Sequence, residues 1–515
     1  MSEPHPHSRA ALAERFGRNY RWWVLLTVMV GTMASIMAST IVNVAVPDMS
    51  RVFTLGQERA QWLSAGFMAA MTLSMLTTPW LLDRYGYRHT YCGAVLLLMT
   101  GGICGGFSQW FDLILAMRVA EGLAAGVLQP IPAIIVLHAF EPHEQGKAMG
   151  IFGFGVVLAP AIGPSVGGVL VEWWGWRSIF FVVVPFAIVA ILLARRYLPV
   201  NAPGGAAVNR SGARIDVVGL GLIAVAVLAL LNGIVNLDGA TRNLGIGLLV
   251  LCAASVCAFV VHQRRSAHPL MRLDLFEYRS FVMGGCVAFI YGMALFGSTY
   301  LVPVFMQIAL HLPPSQAGAV LLPAGLVLAV TIPVAGRLAD RIPVNRVVVA
   351  GLVLLALSFA LMISVGLATA LWLIALWAAI GRVGLGFVLP SLNLGSMRGL
   401  PNDAIAHGSS TINFLRQLGG SVGISLVGSV LEWRLSVERG NPLRAFHETF
   451  ALIGLITACA VFAAWRMSPG TRPPDAERFD EADPLEGDGG VPLRPARAGA
   501  AAPNSLFEAE TPLRA

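Results

Sequence analysis

Charge is what this sequence has least of. Only 12% of its 515 residues are Asp, Glu, Lys or Arg, about half the roughly 25% usual in soluble chains. Hydrophobic residues make up 56%, and the mean hydropathy is +0.71. That scarcity excludes a soluble globular protein of this length. Cysteine is also sparse. The six (Cys92, Cys104, Cys252, Cys257, Cys286, Cys459) all fall in apolar runs, without the spacing of metal ligands, and read as small buried hydrophobes. No G-x-x-x-x-G-K-[ST] loop is present to hold nucleotide phosphates, and no H-E-x-x-H or G-x-S-x-G. Neither ATP hydrolysis nor another enzymatic activity is expected, nor any metal or cofactor.

What is present is a succession of apolar runs of about 20 residues, the length that crosses a hydrocarbon core of roughly 30 Å. The segmentation gives fourteen: 22–47, 60–82, 89–108, 112–138, 148–171, 177–194, 215–236, 244–262, 281–309, 316–338, 346–366, 369–396, 406–431 and 446–466. The first follows Arg15, Arg18 and Arg21 but exceeds the roughly 7–15 residues of a signal-peptide core, so it reads as a spanning helix. Residues 199–213 have linker composition, and 468–515 that of a disordered cytoplasmic tail. With an even number of spans both termini share one side. That side holds 19 Lys and Arg outside the tail, against 7 in the opposite loops. By the positive-inside rule the termini are cytoplasmic. The net charge of +7 is then a topology signal, and no nucleic-acid partner is implied.

The chain repeats itself. LLDRYGYRHTY (81–91) is echoed by LADRIPVNRVV (338–348), and MRVAEGLAAGVLQP (117–130) by GRVGLGFVLP (381–390). Asp83 and Asp340 are 257 residues apart, and Arg118 and Arg382 are 264. Two related halves separated by an additional helix pair produce such an offset. The expected organisation is a cytoplasmic N-terminal segment (1–21), an N-terminal six-helix half (22–194), a linker with two extra helices (195–280), a C-terminal six-helix half (281–467) and the tail (468–515). Repeats of this kind build transporters, with the substrate site between the halves.

Further motifs carry a family resemblance: STIVNVAVP (39–47), LLDRYGYRH (81–89), RVAEGLAAG (118–126), GPSVGG (163–168) before WGWRSIFFVVVP, HPLMRLDLFEYRSF (268–281), SQAGAVLLP (315–323) and NFLRQLGGSVG (413–423). From residue 22 to 467 the chain resembles the major facilitator superfamily, and within it the fourteen-helix drug:proton antiporters. The resemblance implies an all-α polytopic membrane protein with two six-helix halves plus two extra central helices. It implies proton-coupled export of hydrophobic or amphiphilic compounds by alternating access.

Physical reasoning and the resemblance together select the site residues. In the turn after the second segment the resemblance implies a gating latch of Asp83, Arg84, Gly86 and Arg88, with Asp340 and Arg341 as a second copy expected to be weaker because it lacks the glycine. Pro79 stands where the family usually has glycine. In the fifth segment, Gly155, Gly163, Gly167 and Gly168, with Pro164, form the antiporter motif; small residues four apart let membrane helices approach closely. Asn43, Tyr291, Tyr300, Gln307, Arg382, Asn413 and Arg416 are the expected cavity residues. Their charge balance favours anionic or neutral amphiphiles over organic cations.

One carboxylate lies deep in an apolar segment: Glu121, three residues after Arg118. An ionisable group at that depth is a functional-site candidate. Family members typically carry an aspartate just before the Ser-Thr pair of the first segment, where this chain has Ala38, and glutamine where it has Glu121. At about 1.5 Å per residue both positions lie some 13–14 Å below the outer end of their helices. The proton-linked acid is therefore read as moved to Glu121, with Arg118 as its partner. Two other readings stay open: a purely structural Arg118–Glu121 pair, and a site for a substrate cation. At the level of function, an importer or facilitator of one metabolite, and a membrane enzyme or sensor, are the alternatives. Partners expected are the substrate, protons and the lipid bilayer; both a lone pump and one feeding a periplasmic adaptor and outer-membrane channel fit.

Overall fold

The computed structural model describes residues 9–54, 57–201, 214–237, 241–438 and 441–467. The tail 468–515, most of the linker and the first eight residues lie outside that set. Helix α1 (Arg9–Phe16) leads into α2 (Tyr20–Val52), followed by α3 (Gln57–Ser74), α4 (Thr78–Phe107), α5 (Phe111–Leu128), α6 (Ile131–Ala139) and α7 (Gln145–Trp174). The first half closes with α8 (Ser178–Phe181) and α9 (Val183–Tyr197). After the linker come α10 (Val217–Val235) and α11 (Arg242–Arg265). The second half comprises α12 (Arg279–Ile308), α13 (Pro314–Arg341), α14 (Val344–Ile363), α15 (Leu371–Met397), α16 (Ile405–Val437) and α17 (Pro442–Trp465). No strand occurs among the described residues. Within lipid, backbone polar groups must be satisfied inside each segment, and helices do this without partners.

By length and composition, twelve stretches among the described residues are able to cross a membrane. The expected 60–82 and 89–108 fall in one 46-residue stretch, Trp62–Phe107, and the expected 148–171 is represented by the shorter apolar helix Gln145–Ala159. The long stretch is broken at Gly86, whose φ of 74° and ψ of 173° leave helical space. That backbone needs glycine. The turn is strapped by the chain end of the first half: Tyr87 N–H donates to Asn201 O (3.2 Å) and Arg88 N–H to Pro199 O (3.1 Å).

Outward faces are as apolar as the interior; Val250 and Val330 are 64% and 66% exposed. Lipid tails, as apolar as these side chains, give the helices no hydrophobic reason to associate, so packing quality decides which faces meet. Glycine accordingly marks the contacts. The α7–α13 contact joins the two halves. A Cβ on Gly336 of α13 would lie 2.7 Å from Gly150 Cα of α7, and one on Gly150 would lie 3.1 Å from Pro333 Cα.

The inserted pair, α10 and α11, packs together, and α10 also touches α16 and α3. Asp216 caps α10 by accepting from Gly219 N–H (2.8 Å), and its carboxylate also meets His262 Nε2 (2.8 Å) and Gln263 Nε2 (2.7 Å) of α11. One buried carboxylate thus fixes the mutual register of both helices.

Candidate functional site: a buried ion pair and a central cavity

Helix α5 carries Arg118, Glu121 and Gly122 on one face, as spacings of three and four require. Arg118 Nη1 lies 2.7 Å from Glu121 Oε2, with both side chains 1% exposed. The guanidinium also donates to two backbone carbonyls, Ala38 O on α2 (3.1 Å) and Leu63 O on α3 (3.3 Å), and its carbon sits 4.3 Å from the Phe67 ring centroid. Glycines make this approach feasible. A Cβ on Gly122 would lie 3.0 Å from Ala70 Cβ of α3. On α4, a Cβ at Gly101 would lie 2.7 Å from Glu121 Cγ, and one at Gly102 3.3 Å from Glu121 Oε1. Sequence reasoning missed Gly101 and Gly102, although the TGGICGGF run that holds them is dense in small residues. Removing one member of so deeply buried a pair would leave the other charge uncompensated, a cost of about 3–5 kcal/mol.

The two latch turns differ in the opposite sense to expectation. Asp83 is exposed and takes no ion pair among the described residues, while Arg84 stacks over Trp80 and Tyr85, 5.5 and 5.8 Å from their centroids. Asp340 accepts from the backbone N–H groups of Gly146 (2.6 Å) and Lys147 (2.7 Å), at the N-terminus of α7 in the other half. Such charge-assisted bonds complement the positive end of the helix dipole. The second copy makes this contact without the glycine, its carboxylate reaching from the end of α13 directly onto α7. Arg341 is exposed, and Arg88 contributes its backbone amide to the strap described above.

The glycines of α7 divide between two partners. Gly155, Gly163 and Gly167 face α2 within the same half: added Cβ atoms would lie 2.8 Å from Met29 Cγ, 3.0 Å from Thr40 Oγ1 and 2.6 Å from Ile41 Cγ1. Gly168 faces open space. The side chain of Pro164 lies outside the described set. Contact with the other half is made nearer the N-terminus of α7, by Gly146 and Gly150.

Between the halves lies a cavity of about 470 Å³, a size suited to drug-like ligands. Tyr291, Arg382, Asn413 and Arg416 line it. Asn413 Oδ1 accepts from Arg416 Nη2 at 3.0 Å. Three expected residues do not line it. Tyr300 is 39% exposed and Gln307 is exposed; at about 100° per residue they stand roughly opposite Tyr291 on α12. Asn43 instead accepts from Ser64 Oγ at 2.6 Å, a turn beyond the lining Ser39. Sequence reasoning missed Gln129, Asn393 and Gln417, which add polar groups to the wall. Gln417 neighbours Arg416 in NFLRQLGG, and Gln129 lies in MRVAEGLAAGVLQP (117–130), so both were within reach of motifs already identified. Glu121 does not line the cavity.

The model of the Major Facilitator Superfamily matches residues 28–424. A multidrug resistance protein B homolog of Mycobacterium tuberculosis (strain ATCC 25618 / H37Rv) is 30% identical over 424 residues, 80% of this chain and 77% of that protein. The multidrug resistance protein Stp of M. tuberculosis (strain CDC 1551 / Oshkosh) is 30% identical over 428 residues, 81% of this chain and 78% of its own length. Among solved structures, the proton:xylose symporter XylE superposes with a TM-score of 0.63 at 12% identity, over 87% of this chain and 96% of that one, a likeness of fold. With two halves meeting at a central cavity, and the family model covering most of its length, the chain is a multi-pass membrane protein belonging to the Major Facilitator Superfamily.

Proposed function

We propose that the chain is a multidrug-type efflux transporter that exports hydrophobic or amphiphilic compounds in exchange for protons, by alternating access between its two halves. The relatives named as multidrug resistance proteins support export of this kind. The observation that carries the proton coupling is the sealed Arg118–Glu121 pair. Burial disfavours an ionised carboxylate and a nearby guanidinium favours it. A rearrangement that wets the pair or draws Arg118 away changes the balance, and one pKa unit corresponds to about 1.4 kcal/mol. The contact of Asp340 with α7 holds one end of the bundle shut, and releasing it accompanies the opposite state. No part of this cycle requires the protein to act as an enzyme.

Fourteen crossings are the reading that best accommodates the lengths. The 46-residue stretch breaks at Gly86; at 1.5 Å per residue it runs about 70 Å, more than twice a hydrocarbon core. Helix α7 has 30 residues, enough for one crossing. The position of α10 and α11 between the two halves supports the layout of the fourteen-helix antiporters. The excess of basic residues on the side of Asp83 and Asp340 supports cytoplasmic termini in the inner membrane. Delivery to a periplasmic adaptor and outer-membrane channel is compatible with the same pump.

Everted membrane vesicles test both parts. Respiration-driven acidification should drive uptake of a fluorescent amphiphile, and an uncoupler should collapse it. Uptake independent of the proton gradient would reject proton coupling. Cysteines placed at Arg84 and Arg341 should label from the cytoplasm and one at Arg444 from outside; reversed labelling would reject the topology.

A further inference from the structure

Arg118 and Arg382 are equivalent positions of the internal repeat, yet their surroundings have diverged. In the first copy the residue three places on is Glu121, which neutralises the arginine. In the second copy the equivalent residue is Leu385, 1% exposed. Arg382 therefore has no carboxylate of its own, and it lines the central cavity together with Arg416. No Asp or Glu occurs among the described residues lining that cavity. Arg416 Nη2 is engaged by Asn413, a neutral partner, and Arg416 Nε is buried with no hydrogen-bond partner among the described residues.

We propose that the cargo is a monoanionic amphiphile: an organic acid whose ionised carboxylate or sulfonate seats between Arg382 and Arg416, with its apolar body against Met68, Phe152 and Phe296. The proposal rests on the efflux reading for the direction of movement, and on the cavity alone for the charge. Two guanidinium groups held in a largely apolar cavity without a counter-charge are costly. A cationic cargo would add a third like charge. A neutral cargo would displace water and leave both arginines unpaired. An oxyanion offsets one of the two charges while its oxygens accept hydrogen bonds from both guanidinium groups, a geometry that suits the planar donor fork of arginine. Met68, Met71 and Met149 in the wall are flexible and polarisable, so the apolar body can vary while the anionic head is selected. Exchange of one anion outward for one proton inward carries two charge equivalents in the same electrical sense, so membrane potential alone drives it.

The test uses the full-length chain in detergent micelles and two matched trios: 1-naphthaleneacetate, its methyl ester and 1-naphthylmethylammonium, and the corresponding pyrene-bearing acid, ester and ammonium. Tryptophan quenching should give saturable binding of at least one acid, at least tenfold tighter than its ester or ammonium counterpart. Arg382→Gln and Arg416→Gln should each weaken acid binding tenfold or more without changing ester binding. Asn413→Asp, which preserves side-chain shape while supplying an internal carboxylate beside Arg416, should do the same, and its monodisperse elution with wild-type melting behaviour controls for folding. Ammonium binding as tight as acid binding, acid binding indifferent to these substitutions, or no saturable acid binding at all would each overturn the assignment. Micelle binding has no direction. Arginine-dependent acid binding without proton-driven uptake in everted vesicles would therefore leave the cargo assignment standing and reject the efflux reading; proton-driven uptake of the ammonium compounds above that of vesicles lacking the protein would reject the cargo assignment alone.

Discussion

The carbonyl oxygen of Ala38 accepts a hydrogen bond from Arg118 Nη1 at 3.1 Å, and the same nitrogen donates to Glu121 at 2.7 Å. The position where related transporters typically hold an aspartate and the position where this chain holds its acid thus share one guanidinium. Their equal depth, read from helix rise alone, is matched by a shared hydrogen-bond partner, Arg118.

From this follows a transplant experiment. Glu121→Gln should retain downhill exchange but lose proton-driven accumulation in vesicles, because an amide does not titrate. Adding Ala38→Asp to that variant should restore part of the coupling. Where the pair is only structural, neutralising Arg118 as well as Glu121 would restore what Glu121→Gln loses. Full uphill transport by Glu121→Gln alone would remove the proton role.

The latch prediction contrasts two aspartates. Asp340 bridges the halves through two backbone amides, whereas Asp83 is exposed. Hydrogen bonds to a charged group contribute about 1.5–3 kcal/mol. Asp340→Asn should therefore shift the conformational equilibrium by about tenfold or more, read as a distance change between spin labels on α7 and α13. In this conformation Asp83→Asn should leave that distance distribution unchanged. Equal effects of the two substitutions would mean that the bridge does not control closure.

Two sets of glycines yield separable steric outcomes. Gly336→Leu drives a side chain into α7 across the halves and should trap the transporter open at that end, with membrane insertion intact. Gly167→Leu presses on Ile41 within one half and should lower thermal stability instead, by about 1–3 kcal/mol as overpacked cores do. Labelling of a cysteine beside Gly146 distinguishes them: accessibility should rise in the first variant and stay low in the second.

Asp216 gives a pH-dependent prediction outside the membrane. Burial pushes its carboxyl up, but hydrogen bonds from Gly219 N–H, His262 and Gln263 more than offset this and hold it below the usual carboxylate range. A carboxyl depressed by folding contributes stability in full above its unfolded value of about 3.9, and loses it as pH falls through the lower folded value. Asp216→Ala should cost about 1–2 kcal/mol, the scale of a lost helix cap, and lower the apparent melting temperature at pH 7. The gap to the unsubstituted protein should narrow only below about pH 4. A gap constant down to pH 3 would assign the loss to packing rather than charge.

How far the sequence anticipates the site depends on the kind of signal. Glu121 and Arg118 were legible because charge at membrane depth is rare and costly. Arg382, Arg416 and Asn413 were legible for similar reasons. Tyr300 and Gln307 were not separable from Tyr291, because a spanning helix is apolar all round and its polar residues do not announce which face meets the partner. The Gly146–Gly336 seam had no local signal at all: the residues are 190 positions apart, and each run merely contains small residues. Asp340 was legible as a latch residue but its partners were not, since the donors are main-chain amides that carry no residue identity.

The strap across Gly86 has a consequence for biosynthesis. Tyr87 and Arg88 find their acceptors in Pro199 and Asn201, residues translated more than a hundred codons later. At ~5–20 residues per second, the turn waits on the order of ten seconds after leaving the ribosome before its acceptors exist. Until then its amides have no partner in these acceptors, so this turn completes only after the last helix of the first half has been translated. Its closure therefore reports that the half is whole.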